Sequence, residues 1–133
     1  MTASSIRILL AVLALDDVYQ RVASKDVAHL LGVRKPTIHN ALAALQDKGI
    51  IAKERYGDVY LTAQGRELAR RLEKQRDDLA IMFARDMCLD NEEAVTAAIL
   101  LMSGLREDSL ERMCACCEGK RAKSRAPAVM RHV

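Results

Sequence analysis

The 133-residue chain has no tryptophan, one phenylalanine and three tyrosines. Its core must therefore be aliphatic, built from Leu, Ile, Val and Ala as in most helical proteins. Long hydrophobic runs are also missing. The longest, Ile8–Leu15, falls short of the ~20 residues that cross a bilayer. It also lacks the small-residue cleavage site of a secretory signal. These absences exclude a membrane-spanning chain and predict a cytoplasmic one. No glycine-rich phosphate loop, no carboxylate pair in a pocket and no Ser/His/Asp spacing is present, so no enzymatic chemistry is predicted. The four cysteines are Cys88, Cys114, Cys116 and Cys117. Three of them crowd one short stretch, which is not the spacing of a disulfide framework in a cytoplasmic protein.

Net charge is small but unevenly placed. The net charge is +3. Lys and Arg outnumber Asp and Glu by 8 to 6 in residues 1–62, trail by 8 to 11 in residues 63–117, and lead by 5 to 1 in residues 118–133. Any contact with a polyanion is therefore local.

The apolar pattern then gives the elements. Residues 5–15 read as a helix apolar almost all round, which must be buried on more than one side. Ser24-Lys25-Asp26 opens a second helix, with Ser24 as the expected N-cap. Val27, Ala28, Leu30 and Leu31 supply its buried face, and Gly32 suits a left-handed ending. Pro36 belongs in the first turn of a third helix. Ile38, Ala41, Leu42 and Leu45 point inward, and Gly49 ends it. Helix, short glycine-bearing turn and helix make a helix-turn-helix, or else an ordinary helical hairpin.

The following segment decides between these. Residues 50–54 and 59–61 read as two short strands joined by a turn, Arg55-Tyr56-Gly57-Asp58, with Gly57 free to take positive φ. A β-hairpin directly after the second helix of a helix-turn-helix is a winged helix, and the hairpin is its wing. Thr62 is placed to cap a long helix from Ala63 to about Met87. Asn91-Glu92-Glu93 opens another, with acidic residues where the macrodipole favours them. Glu107 to Cys117 reads as a last short helix. The expected organisation is a winged-helix domain at residues 1–62, a helical dimerisation domain at 63–117 and a basic flexible tail at 118–133. The predicted class is mainly α with a small β-hairpin.

These residues resemble the DtxR/MntR family of metal-dependent repressors. The resemblance runs through Val27-Ala28-x-x-Leu31-Gly32-Val33, Pro36-Thr37-Ile38, Leu42-x-x-Leu45-x-x-Lys48-Gly49-Ile50-Ile51 and Val59-x-Leu61-Thr62-x-x-Gly65. It continues into Leu89-Asp90-x-Glu92-Glu93-Ala94 and covers roughly residues 5–117. No SH3-like third domain is present in the sequence, so the shorter MntR-type architecture is the closer comparison. The resemblance implies a homodimeric transcription regulator, a repressor by family habit, acting on a double-stranded DNA operator. It also implies a Mn²⁺ or Fe²⁺ cofactor held between the winged helix and the dimerisation helices. Here the chain departs from the family. The ligand positions fall on Arg7, Leu10, Ile99, Met102 and Ser103, with Gln75 or Arg76 in place of a histidine. A hard cation needs several oxygen or imidazole donors, and none of these positions offers a carboxylate or imidazole. Metal ligation at the family site is therefore expected to be lost, with no cofactor. Arg7 is a candidate stand-in for the cation, paired with Asp77 or Asp78.

The candidate DNA-reading face is on the second helix of the motif. Arg34, Lys35, Pro36, Thr37, His39 and Asn40 lie at its N-terminal part, which in such motifs reaches base edges. Asn40 suits adenine, Arg34 or Lys35 suits guanine, and Pro36 suits a thymine methyl. Thr37, Lys25 and Lys48 suit phosphates, as do Arg55 and Tyr56 in the wing. Two further readings stay open. Cys114, Cys116 and Cys117 would form a thiol site for a soft metal or for redox sensing. Alternatively, the fold binds a protein partner and no DNA, against which Arg34 and Lys35 argue.

Overall fold

The computed structural model describes residues 1–54 and 57–123. Arg55, Tyr56 and the tail past 123, including most of the expected basic tail, lie outside the described residues. In chain order the elements are α1 (Ala3–Tyr19), β1 (Val22–Ala23), α2 (Ser24–Leu31), α3 (Lys35–Asp47), β2 (Ile51–Lys53), β3 (Asp58–Leu61), α4 (Ala63–Asp86), α5 (Asn91–Gly104) and α6 (Glu107–Lys123). The fold is mainly α with a small antiparallel sheet, a winged helix followed by helices. Two compact units divide the described residues, one of Ser4–Arg71 and one from Leu72 onward with the first three residues. The division falls inside α4.

In the first unit, α1 is buried as its all-round apolar sequence requires. Ile6 and Ile8 through Leu13 are all buried, and Arg7 between them is exposed. Past Leu13 the helix turns polar, and Asp16 and Asp17 carry Arg66 and Arg70 of α4 as ion pairs. The helix-turn-helix closes around Val27, Ile38, Leu42 and Leu45, each at 2 % exposure or less. Gly32 takes φ +65° and ends α2. Its N–H bonds to the His29 carbonyl and the Val33 N–H to the Ala28 carbonyl, the paired bonds of a Schellman ending. Gly49, at φ +75°, performs the same turn after α3.

The wing is a three-stranded sheet in the order β1-β3-β2. Ile51 pairs with Leu61 and Lys53 with Val59 across the hairpin, and Val22 pairs with Val59 on the other side. Gly57 takes φ +88° in the turn. Strand β1 was not legible in the sequence, because two residues show no alternation. It also corrects the start of α2. Pairing with β3 holds Ala23 extended, so Ala23 and not Ser24 is the N-cap, without a side-chain bond. Ser24 enters the first helical turn, and its hydroxyl is buried without a hydrogen-bond partner. Leu30, expected inside, is 45 % exposed. On an eight-residue helix only Val27 and Ala28 are fully buried, with Leu31 half-buried.

In the second unit, Leu72, Leu79, Ala80 and Ile81 of α4 are buried, as are Ala94, Ala98, Ile99 and Met102 of α5 and Leu110 of α6. Asp90 caps α5 by accepting the Glu93 N–H at 2.8 Å. That bond to the charged form holds the Asp90 carboxyl below its ordinary range. Leu105 lies past the end of α5 and is 39 % exposed. Helix α6 runs six residues beyond its expected end at Cys117. Glu118, expected in the mobile tail, is helical, and its carboxylate pairs with Lys74 of α4.

Candidate nucleic-acid interface

The face of α3 opposite its buried stripe is polar and open. Lys35, Pro36, Thr37, His39 and Asn40 are all exposed, while Ile38, Leu42 and Leu45 between and beyond them are buried. This division follows from the 3.6-residue period. The turn preceding α3 leaves Arg34 extended as N-cap with no side-chain cap, and Pro36 sits in the first turn. The N-terminal end of α3 thus carries no side-chain acceptor on its orphan N–H groups, and such an end attracts anions.

Two open concavities lie along this end. One, of about 450 Å³, is lined by Ser24, Lys25, Lys35, Pro36, His39 and Asn40. The other, of about 600 Å³, lies over the turn between α2 and α3 and includes Lys25, Arg34 and Lys35. The structure therefore brings Lys25 and Arg34 to the same surface as Lys35, Pro36, His39 and Asn40. Thr37 is exposed on the same helix. Lys48 caps the far end of α3, so it is separated from this group by the helix length of about 20 Å. Arg55 and Tyr56 lie outside the described residues.

Two residues at this surface escaped the sequence reading. Ser24 lines the concavity with its unpartnered hydroxyl. Lys53 of β2 places its ammonium 2.9 Å from Nδ1 of His39, so the wing touches α3 directly. The packing of β2 beside α3 brings Lys53 there, and no local pattern announces it.

The expected metal positions are chemically poor. Leu10, Ile99 and Met102 are buried, each at 5 % exposure or less, and Arg7 is exposed. Ser103 donates its hydroxyl to the Leu100 carbonyl at 2.7 Å. Gln75 and Arg76 are buried, and Arg76 donates through Nε and Nη2 to Asp77 at 3.1 and 2.9 Å. Asp78 accepts from Lys74 at 3.1 Å. The donor set at these positions does not suit a hard cation, since it contains an amide, a hydroxyl and a thioether but no carboxylate or imidazole. Among the described residues, no group of three or more His, Cys, Asp or Glu side chains is placed to hold a metal ion.

The cysteines do not all share a face. Cys114 and Cys117, one helical turn apart, are buried, while Cys116 and Cys88 are exposed. Burial, and then the carboxylate of Asp78, push the Cys114 thiol up to about 11. Cys88 sits in the turn after α4 at φ +57°.

No family model matches the chain. No curated protein matches it in sequence. Solved structures do match in fold. IdeR of T. acidophilum superposes with a TM-score of 0.67 at 18 % identity, over 84 % of this chain and 52 % of that one. The manganese regulator SloR superposes with a TM-score of 0.77 at 18 % identity, over 89 % of this chain and 55 % of that one. A hypothetical protein of Sulfolobus solfataricus superposes with a TM-score of 0.67 at 17 % identity, over 90 % of this chain and 91 % of that one. The chain spans about half the length of IdeR and SloR. It has the fold of DtxR/MntR-type regulators. No described helix is long and apolar enough to cross a membrane.

Proposed function

We propose that this chain is a cytoplasmic, nonenzymatic transcription regulator that binds double-stranded DNA sequence-specifically. It acts as a homodimer through residues past Leu72 and most simply as a repressor. The observation that carries this reading is the division of α3. Its buried stripe docks in a winged helix, and its opposite face presents Arg34, Lys35, Pro36, Thr37, His39 and Asn40 beside Lys25. Such a helix enters the major groove with its N-terminal residues at the base edges. Asn40 is the candidate base reader, while Lys25, Lys35, Thr37 and Lys48 act on phosphates, with Arg55 and Tyr56 in the wing. The likeness to metal regulators in fold supports the same class.

Control by Mn²⁺ or Fe²⁺ is not part of this proposal. Arg7, Leu10, Ile99, Met102 and Ser103 replace the donors such an ion needs. Burial of Leu10, Ile99 and Met102 supports their use as plain core, and the bond from buried Arg76 to the partly exposed Asp77 supports a charge satisfied without an ion. The thiol-sensor alternative is disfavoured. Cys114 and Cys117 are buried while Cys116 is exposed, so the three thiols are not presented together, and burial pushes the Cys114 thiol away from the reactive thiolate form.

In vitro selection from random duplexes, followed by fluorescence anisotropy on the enriched site, tests the function. Asn40→Ala should cost roughly 1–3 kcal/mol on that site and relax one base position, and Lys35→Ala should weaken all sequences alike. Failure to enrich any duplex would overturn the proposal.

A further inference from the structure

Resting on that DNA-reading role, the geometry points to His39 as a specificity-determining residue whose hydrogen-bonding character is set by Lys53. His39 is on the exposed face of α3, in the same concavity as Lys35, Pro36 and Asn40. Lys53 Nζ lies 2.9 Å from its Nδ1. A lysine ammonium has three donors and no acceptor. The neutral imidazole must therefore accept at Nδ1, and its single proton must sit on Nε2. A histidine without such a partner can present either a donor or an acceptor to a ligand at a given nitrogen. Here the choice is made before DNA arrives, because the wing strand holds the acceptor edge occupied.

The consequence is a defined reading chemistry. Nε2–H offers one donor, so it matches a base edge that accepts. Guanine presents acceptors at both N7 and O6 in the major groove, whereas cytosine presents the N4 amino donor. The His39–Lys53 pair should therefore reject cytosine at one position and favour guanine over adenine and thymine, which present a single acceptor each, at N7 and O4. The two nitrogens of an imidazole diverge, so Lys53 acts on that base only through His39. Its remaining N–H donors are left for phosphate, which adds affinity without sequence information. His39 and Asn40 are neighbours on the helix, so the two would read adjacent base pairs.

Two measurements on the full chain test this. Long-range ¹H–¹⁵N NMR of the free protein at mildly alkaline pH should show His39 protonated on Nε2 and bare on Nδ1. In Lys53→Met the Nδ1-protonated form should become detectable. Selection from random duplexes should then show a guanine preference at one position in wild type. His39→Ala and Lys53→Met should each lower that preference several-fold at that same position, with the double variant no worse than His39→Ala. Both side chains are at the surface, so unchanged melting curves are expected for all variants. A wild-type tautomer protonated on Nδ1 would overturn the inference. So would a Lys53→Met variant that loses affinity for every sequence equally and keeps the base preference. A protein that enriches no duplex would overturn the DNA-binding proposal along with this one, and the NMR result distinguishes the two failures.

Discussion

Gly65 offers a sharp test of how the winged unit is assembled. It is the third residue of α4 and is buried. A Cβ placed there would lie 2.8 Å from the Ile50 carbonyl carbon and 3.2 Å from its Cα, and nearer still to the carbonyl oxygen. The obstacle is backbone, so no side-chain rotation relieves it. That same carbonyl accepts the Thr62 N–H at 3.2 Å and the Thr62 hydroxyl at 3.1 Å, and the hydroxyl also reaches the Gly49 carbonyl at 2.7 Å. Thr62 Oγ1 in turn caps α4 by accepting the Gly65 N–H at 3.0 Å. Gly65→Ala must drive the start of α4 away from Ile50 by on the order of 1 Å to reach ordinary contact distance. Overpacking of this kind costs about 1–3 kcal/mol, and each hydrogen bond lost at the Thr62 junction adds about 1 kcal/mol. The better helix propensity of Ala returns about 1 kcal/mol. The net expectation is a loss of about 2–4 kcal/mol, which for a unit of this size lowers Tm by roughly 10 °C or more. Thermal unfolding followed by far-UV circular dichroism reads this directly. Gly119→Ala is the control, since nothing lies within 4 Å of a Cβ there, and it should stabilise α6 by about 0.5–1 kcal/mol. A Gly65→Ala protein melting within a degree or two of wild type would refute the close approach of α4 to Ile50.

Other outcomes follow from the same structure. Alkylation at pH 8 should modify Cys88 and Cys116 and leave Cys114 unmodified until the protein is unfolded; rapid labelling of Cys114 would revive the thiol-sensor reading. Because the Cys114 thiol is raised from 9.0 to about 11 in the fold, its contribution to stability is full below pH 9. It should decline as pH rises towards 11, where the unfolded chain ionises first; urea midpoints that rise over that range would contradict the burial of the thiol. Light scattering at micromolar concentration should give twice the chain mass, and a persistent monomer would overturn the proposed homodimer. Affinity for the selected duplex should change little on chelation. A tenfold gain on adding Mn²⁺ or Fe²⁺ would show that a hard-cation site exists after all.

Much of the winged unit was legible because its signals are local. The apolar spacing in α3 comes from the helical period, and Gly32, Gly49 and Gly57 mark turns that need positive φ. The hairpin shows in two β-rich stretches around a glycine turn. The face opposite Ile38, Leu42 and Leu45 was therefore identifiable as the candidate reading surface from the chain alone. What stayed hidden depends on residues distant in sequence. Strand β1 is two residues long and exists only because β3 pairs with it, and that pairing moved the N-cap of α2 from Ser24 to Ala23. The meeting of Lys53 with His39 needed β2 to pack beside α3. The extension of α6 past Cys117, with the Lys74–Glu118 pair beside it, ran against a composition that looks like a solvated tail. Likewise, a row of cysteines in the sequence says nothing of which thiols are buried. Only the packing of α6 separated Cys114 and Cys117 from Cys116, because burial is set by what other segments cover. By itself, then, the sequence determined the helix-turn-helix and the wing, both of them written in residue type and short-range spacing. The tertiary structure alone decided the meeting of Lys53 with His39, the burial of Cys114 and Cys117 and the need for glycine at position 65, since each depends on atoms that a distant part of the chain brings within contact distance.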